Sequence, residues 1–270
     1  MTLQSIGGHL TIGLGGILFL GAPVALWGGA YGYAIAAKAG ISLGTSFAIG
    51  VALAACAGAI FAFFYARMSN DSFAVITLAS VLAVDALIRS WDSVTGGVLG
   101  IAGVPRFGFG QTLKNLAIFE MYIAGLALGL EAIFIHSSWG RSLRALKENK
   151  IALISMGTSA KFIGQMVLLF ASIFIGLSGV FAISRVQFLD PTFGGMVLLV
   201  QILTIAIISS APKTLRLFAV TVIIVLLPEF LRFLNLPVSI LGYLRSLIYS
   251  LLLIILIFYT LGNTYIKRYV

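Results

Sequence analysis

Charge is scarce in this sequence: Asp, Glu, Lys and Arg together make up 9% of its 270 residues, where an ordinary soluble domain carries about 25%. With 60% of the residues hydrophobic and a mean hydropathy of +1.12, too little polar surface exists to cover a soluble fold. Cysteine is nearly absent. The single Cys56 excludes a disulfide within the chain, and its run of Ala and Gly predicts a small packed side chain. Histidine is as rare: His9 and His136 lie far apart, each near the end of an apolar run, with no metal-ligand spacing. A phosphate-cradling lysine loop and a nucleophile elbow are missing as well, so the reading includes no catalytic site, metal or cofactor. Segments of about ten residues alternating apolar and polar, the mark of a membrane β-barrel, do not occur.

What remains is long continuous apolar sequence. A helix needs about 20 such residues to cross the hydrocarbon core of a bilayer, and the chain supplies about eight runs: 9–37, 42–66, 72–90, 115–136, 162–184, 194–211, 215–234 and 240–261. The predicted fold is all-α, a polytopic integral membrane protein, with residues 1–270 forming one transmembrane domain. Thirty glycines suit close helix packing in lipid. The first run is dense in them and holds Pro23, which predicts a broken or re-entrant segment whose freed backbone groups face the protein interior. The N-terminal "MTLQSIGGHL" has no basic region of the kind that opens a cleavable signal peptide.

The formal charge of +9 reports on loop placement rather than on nucleic acid. Placing 137–161 in the cytoplasm puts Lys213 and Arg216, Arg67, and the tail with Lys267 and Arg268 on the same side. Both termini are then expected inside, in a cell (inner) membrane, with 91–114 and 185–193 outside and Lys38 dissenting. The outer loop is rich in Gly and predicts tight turns rather than a helix.

Ionisable residues at membrane depth are costly and need partners. Asp85 stands four residues before Arg89 and predicts a pair on one helix face. Glu229 stands three before Arg232 and predicts another. Glu120 and Glu131, each set inside a span end, are expected to pair or to snorkel. Acidic and His residues do not recur along one face, so a proton relay finds no support.

The exception to the shortage of charge is Gly140 to Phe162, "GRSLRALKENKIALISMGTSAKF", which holds Arg141, Arg144, Lys147, Lys150 and Lys161. The first four recur every three residues, with Leu143, Leu146, Ile151 and Leu153 between them: a short amphipathic helix at the cytoplasmic surface. From the residues alone it is either an anchor on anionic lipid or a docking helix for a cytoplasmic partner.

The order of motifs resembles the permease subunits of branched-chain amino-acid ABC importers, of LivM type. "GLGGILFLGAPVALWGGAY", "FAVITL", "WDSVTGGVLGIAGVPR", the basic segment, "GLSGVFAISRVQFLDPTFG" and "LLPEFLRF" follow in family order over about 13–235, with 91–106 and 140–161 the most specific parts. The resemblance implies a subunit without catalysis of its own. It implies a second, LivH-like permease subunit, two cytoplasmic ATPase subunits that hydrolyse ATP, and an extracytoplasmic substrate-binding protein. It assigns ATPase coupling to Arg141, Arg144, Lys147, Glu148, Gly157 and Lys161 within 138–161. Gly16, Gly21, Pro23, Gly28 and Tyr31 would form the pathway and its helix break, and Thr95, Gly96, Gly97, Gly103 and Pro105 the outer loop.

The departures are equally specific. About twelve residues precede the Gly-rich segment, fewer than is usual. Ile17 stands at the family's Gln, Ala22 replaces its His, and Leu82 and Asp85 align with its acidic and basic pair. The inner turn "SSAPKTLRL" has no Gly, and Lys150 stands where an acidic residue is common. A permease for urea or short amides and a non-transporting membrane scaffold therefore stay open beside an amino-acid importer.

Overall fold

The structure is a computed structural model that describes residues 1–107, 112–230, 244 and 247–255. The predicted span 240–261, the Glu229–Arg232 pair and the tail with Lys267 and Arg268 fall wholly or partly outside the described residues. The all-α expectation holds. Among the described residues, five helical segments are long and apolar enough to cross a membrane: Leu43–Arg67, Asn70–Ser90, Leu113–His136, Ala160–Val186 and Pro191–Ile208.

The first apolar run is divided differently from the expectation. Helix α1 (Thr2–Gly8) continues without a break into a π-helical turn, His9–Leu14. Residues 15–21 are non-helical, and α2 (Ala22–Lys38) then begins. Pro23 is therefore not the breaker. It sits in the first turn of α2, where its missing N–H has no helical partner to lose. The break lies at the glycines instead, and it is mostly buried, with Gly16 and Leu18 reaching the surface.

Helix α3 (Leu43–Arg67) starts on the Ser42 cap, and α4 (Asn70–Ser90) on the Ser69 cap. The Gly-rich loop after α4 opens with a single helical turn, α5 (Asp92–Thr95), which corrects the expectation of turns alone. Gly96, Gly97, Gly100 and Gly103 then take positive φ of 75°, 54°, 70° and 72°, as the tight turns require. Strand β1 (Ile101–Ala102) pairs antiparallel with β2 (Phe188–Leu189), tying the loop to the end of α9 (Ala160–Val186). Between them run α6 (Leu113–His136), α7 (Ser138–Glu148) and α8 (Lys150–Ser155). Helices α10 (Met196–Ile208) and α11 (Thr214–Phe230) follow.

The centre is the trio α2, α3 and α9. Glycines let the backbones touch: a Cβ on Gly50 of α3 would stand 2.7 Å from the Gly29 carbonyl oxygen of α2. A Cβ on Gly176 of α9 would run into the Cβ of Ala54. Such close approach gains dispersion contacts that lipid tails cannot match. Because Ala54 and Gly58 face inward, Cys56 falls on the opposite face of α3 and is exposed, against the packed reading. Helix α1 lies in front of this trio against α9 and α10, where a Cβ on Gly7 or Gly8 would meet Ile175 or Ile202 side chains at 2.6 Å.

Candidate functional site

The basic segment is built of two short helices rather than one. Ser137 Oγ accepts from Gly140 N to start α7, and Asn149 Oδ1 accepts from Ala152 N to start α8. Between them Asn149 has φ −152° and ψ 91°, which interrupts the helix. Leu143, Leu146 and Leu153 are buried, while Ile151 is 81% exposed. Gly157, at φ +79°, makes the turn into α9, and Lys161 stands exposed in the first turn of that helix.

The basic side chains do not form one outward face, as the three-residue spacing predicted. Arg141 Nη1 donates to His136 O at 3.0 Å and Arg144 Nη1 to Ile135 O at 2.9 Å. Both thus satisfy carbonyls at the end of α6, which a helix C-terminus leaves without partners. Lys147 Nζ donates to Gly13 O at 2.7 Å. Burial lowers the pKa of its ammonium, with the Glu148 charge opposing. Arg141 and Lys147 make these bonds while still partly on the surface, where Glu148, Lys150 and Lys161 also stand with Ile151, Ile154 and Met156.

This brings two predicted groups together. Gly16, with φ +64°, lies on Lys147: a Cβ there would stand 2.8 Å from Lys147 Cγ. One on Gly15 would stand 2.9 Å from Leu143 Cδ1. The break is thus seated directly on α7. At its far end Gly21 caps α2 and faces Phe61, while Phe19 meets Phe61 edge-to-face and stacks on Phe73. Leu20 N donates to Thr77 Oγ1 at 3.3 Å, in the motif read as "FAVITL". Gly28 contacts the α3 backbone at Leu53 and Ala54. Tyr31 is buried in α2, its hydroxyl without a hydrogen-bond partner among the described residues.

The outer-loop residues lie elsewhere. Thr95 Oγ1 shares its one proton between Ile88 O (2.6 Å) and Trp91 O (2.7 Å) and accepts from Gly97 N, fixing the loop on α4. Pro105 O accepts from Tyr33 Oη at 2.8 Å. Asp85 and Arg89 pair at 2.9 Å, as their spacing predicted.

Two pairs escaped sequence reading. His9 Nδ1 and Glu131 Oε1 lie 2.5 Å apart, both side chains fully buried, and His9 Nε2 is 3.3 Å from Ala211 O. Glu120 pairs with Arg185 of α9. Pairing was expected of both carboxylates, but the partners are distant in sequence and no spacing could name them. Met1 lines the cavity beside Arg185 and Glu120, at the end of the bundle opposite Lys147. The thirteen residues of α1 and its π-turn thus run from this cavity toward α7. Among the described residues no group of three or more His, Cys, Asp or Glu could hold a metal ion.

Comparison with known proteins agrees with this architecture. The chain is 24% identical over 262 residues to the high-affinity branched-chain amino acid transport system permease protein LivM of Escherichia coli (strain K12), covering 86% of this chain. The same protein of Salmonella typhimurium (strain LT2) matches at 24% over 261 residues. The chain spans 61% of the length of these relatives. No solved structure matches significantly. The model of the branched-chain amino acid transport system / permease component family matches residues 1–260, so the chain belongs to that family and is a multi-pass membrane protein.

Proposed function

We propose that this chain is a membrane-spanning subunit of an ABC importer for branched-chain or related amino acids, with 138–161 as the segment that meets a cytoplasmic ATPase. A second permease subunit would complete the pore, two ATPase subunits would drive it, and an extracytoplasmic binding protein would deliver the solute. The observation that carries this reading is the hydrogen bond from Lys147 to Gly13 O, with Gly16 seated on the same lysine. A displacement of α7 cannot leave the helix break unmoved, because the bond and the contact join them. The break in turn is tied to α3 and α4 through Phe19 and Leu20. A segment with two arrangements, biased from one end by a partner, is what transmission across a membrane requires.

Docking and transmission fall to different residues. Ile151, Ile154 and Met156 are 81%, 54% and 80% exposed and would meet the ATPase, whereas Lys147 would relay the motion. Ile151→Glu with Met156→Glu is expected to abolish co-purification of the ATPase subunits. Lys147→Met is expected to leave co-purification intact while reducing leucine uptake by reconstituted vesicles by about tenfold or more, the loss of a charged hydrogen bond. Uptake unchanged in Lys147→Met would overturn the relay. Absence of ATP-dependent uptake by the complete wild-type complex would favour a membrane scaffold, and uptake of urea but not leucine would favour the amide permease.

A further inference from the structure

Away from α7, helices α1, α6 and α9 border a cavity of about 630 Å³. That volume lies within the range of about 300–1,000 Å³ typical of small-molecule sites. Leu116, Phe181 and Phe193 give it an apolar wall. Within it Arg185 Nη2 donates to Glu120 Oε2, with the Glu120 side chain 15% exposed and that of Arg185 53% exposed. At its floor Ser178 Oγ donates to Gln4 Oε1 at 3.3 Å.

A structural ion pair accounts for one carboxylate oxygen. It does not account for the other. Glu120 Oε1 is buried and has no hydrogen-bond partner among the described residues. Such an acceptor is costly unless a donor arrives. Arg185 carries five N–H donors, more than a single carboxylate oxygen can take. Side by side, then, stand a carboxylate oxygen that no donor among the described residues reaches, a guanidinium with donors to spare, and an apolar wall, with Met1 lining the same cavity. Neither an anion nor a cation alone matches both charged groups; a small zwitterion with an apolar tail does.

We propose that this cavity is a subsite for a free α-amino acid with an aliphatic side chain. Its ammonium donates to Glu120 Oε1, its carboxylate accepts from Arg185, and its side chain lies against Leu116, Phe181 and Phe193. The inference rests on the transport reading above and adds to it a selectivity element inside the permease itself. A lipid headgroup carrying ammonium and phosphate presents the same pair of charges, and the test separates the two sources.

The full chain is placed in nanodiscs of pure phosphatidylcholine, and radiolabelled leucine binding is measured at equilibrium. Saturable binding is expected, with leucinamide, which lacks the carboxylate, and 4-methylpentanoate, which lacks the ammonium, competing poorly. Glu120→Gln and Arg185→Gln are each expected to weaken leucine about tenfold or more, the scale of a lost charge-assisted hydrogen bond. In Arg185→Gln the preference for leucine over leucinamide should collapse, which a merely structural role would not produce. Phe193→Trp leaves the ion pair in place and serves if the charge variants fail to fold: it should exclude leucine while alanine still binds. Leucine binding unchanged in both charge variants overturns the subsite, as does a wild-type chain that binds no leucine. Loss of leucine binding on adding phosphatidylethanolamine assigns the cavity to lipid and overturns it too. ATP-dependent leucine uptake by the assembled complex is measured in parallel. Uptake without binding to this chain refutes the subsite alone, and binding without uptake refutes the transport reading alone.

Discussion

Removing one member of the His9–Glu131 pair should destabilise the protein far more than removing both. The two side chains are fully buried, with Nδ1 and Oε1 2.5 Å apart. The second carboxylate oxygen of Glu131 has no hydrogen-bond partner among the described residues, so the imidazole is the one group among them that satisfies this side chain. Two magnitudes compete. Neutral hydrogen bonds between membrane helices are worth about 0.6 kcal/mol on average, whereas breaking a buried ion pair by deleting one partner costs about 3–5 kcal/mol. Complete burial and the orphan oxygen place this pair with the second class. His9→Leu should therefore cost about 3–5 kcal/mol, and Glu131→Leu a similar amount. The double variant should recover most of that loss, since it leaves no stranded charge. Unfolding titrations of the four proteins in a mixed-detergent system give the coupling energy directly. Single variants within about 0.6 kcal/mol of wild type, or losses that simply add, would refute the ion-pair reading.

Two further outcomes follow from the close approaches in the fold. Gly29→Val puts a branched side chain against the Gly176 carbonyl and should lower thermal stability sharply. The loss expected is at least the about 1–3 kcal/mol of an overpacked core; an unchanged melting temperature would show that α2 and α9 are not in backbone contact. Thr95→Val keeps the shape of the outer loop but removes the hydroxyl that donates to the carbonyls of Ile88 and Trp91. A cost of about 1–3 kcal/mol and faster amide exchange at Gly96 and Gly97 are expected, and protection equal to wild type would count against the loop being fixed on α4.

How much of this was legible in the sequence depended on the range of the interaction. The scarcity of charge sufficed for an all-α membrane fold, because burial in lipid acts on every residue of a span. The Asp85–Arg89 pair was legible because four residues is one helical turn. Long-range geometry was not legible. The spacing of Arg141, Arg144 and Lys147 suggests one face, yet the carbonyls they satisfy belong to α6 and to residue 13. Likewise His9 and Glu131 are 122 residues apart, and only the fold supplies the other half of each pair. Pro23 misled because proline breaks a helix from within but begins one comfortably, and local sequence did not say on which side of it the helix lay.

The first helix differs from its neighbours in the kind of contact that holds it. Between α2, α3 and α9 the facing atoms are largely backbone and Cβ, as at Gly29, Gly50 and Gly176, and backbones cannot yield without unwinding. The first helix meets α9 and α10 mainly at the Ile175 and Ile202 side chains, which can change rotamer, with the backbone atom Ala171 O 2.9 Å from a Cβ on Gly7. Its polar contacts go to separate parts: Gln4 to Ser178 of α9, His9 to Glu131 of α6 and to Ala211 O, and Gly13 O to Lys147 of α7. Polar contacts with discrete partners can be exchanged in a way that interlocked glycine backbones cannot. The π-turn at His9–Leu14 adds a local irregularity in the middle of that series, where such turns tend to mark functional positions. The division is therefore between a three-helix body held largely by backbone contact and a strut that touches α7 at one end and the cavity at the other. If motion crosses this protein, the strut is the part able to carry it, and its end at Gly13 is where a push from α7 would arrive.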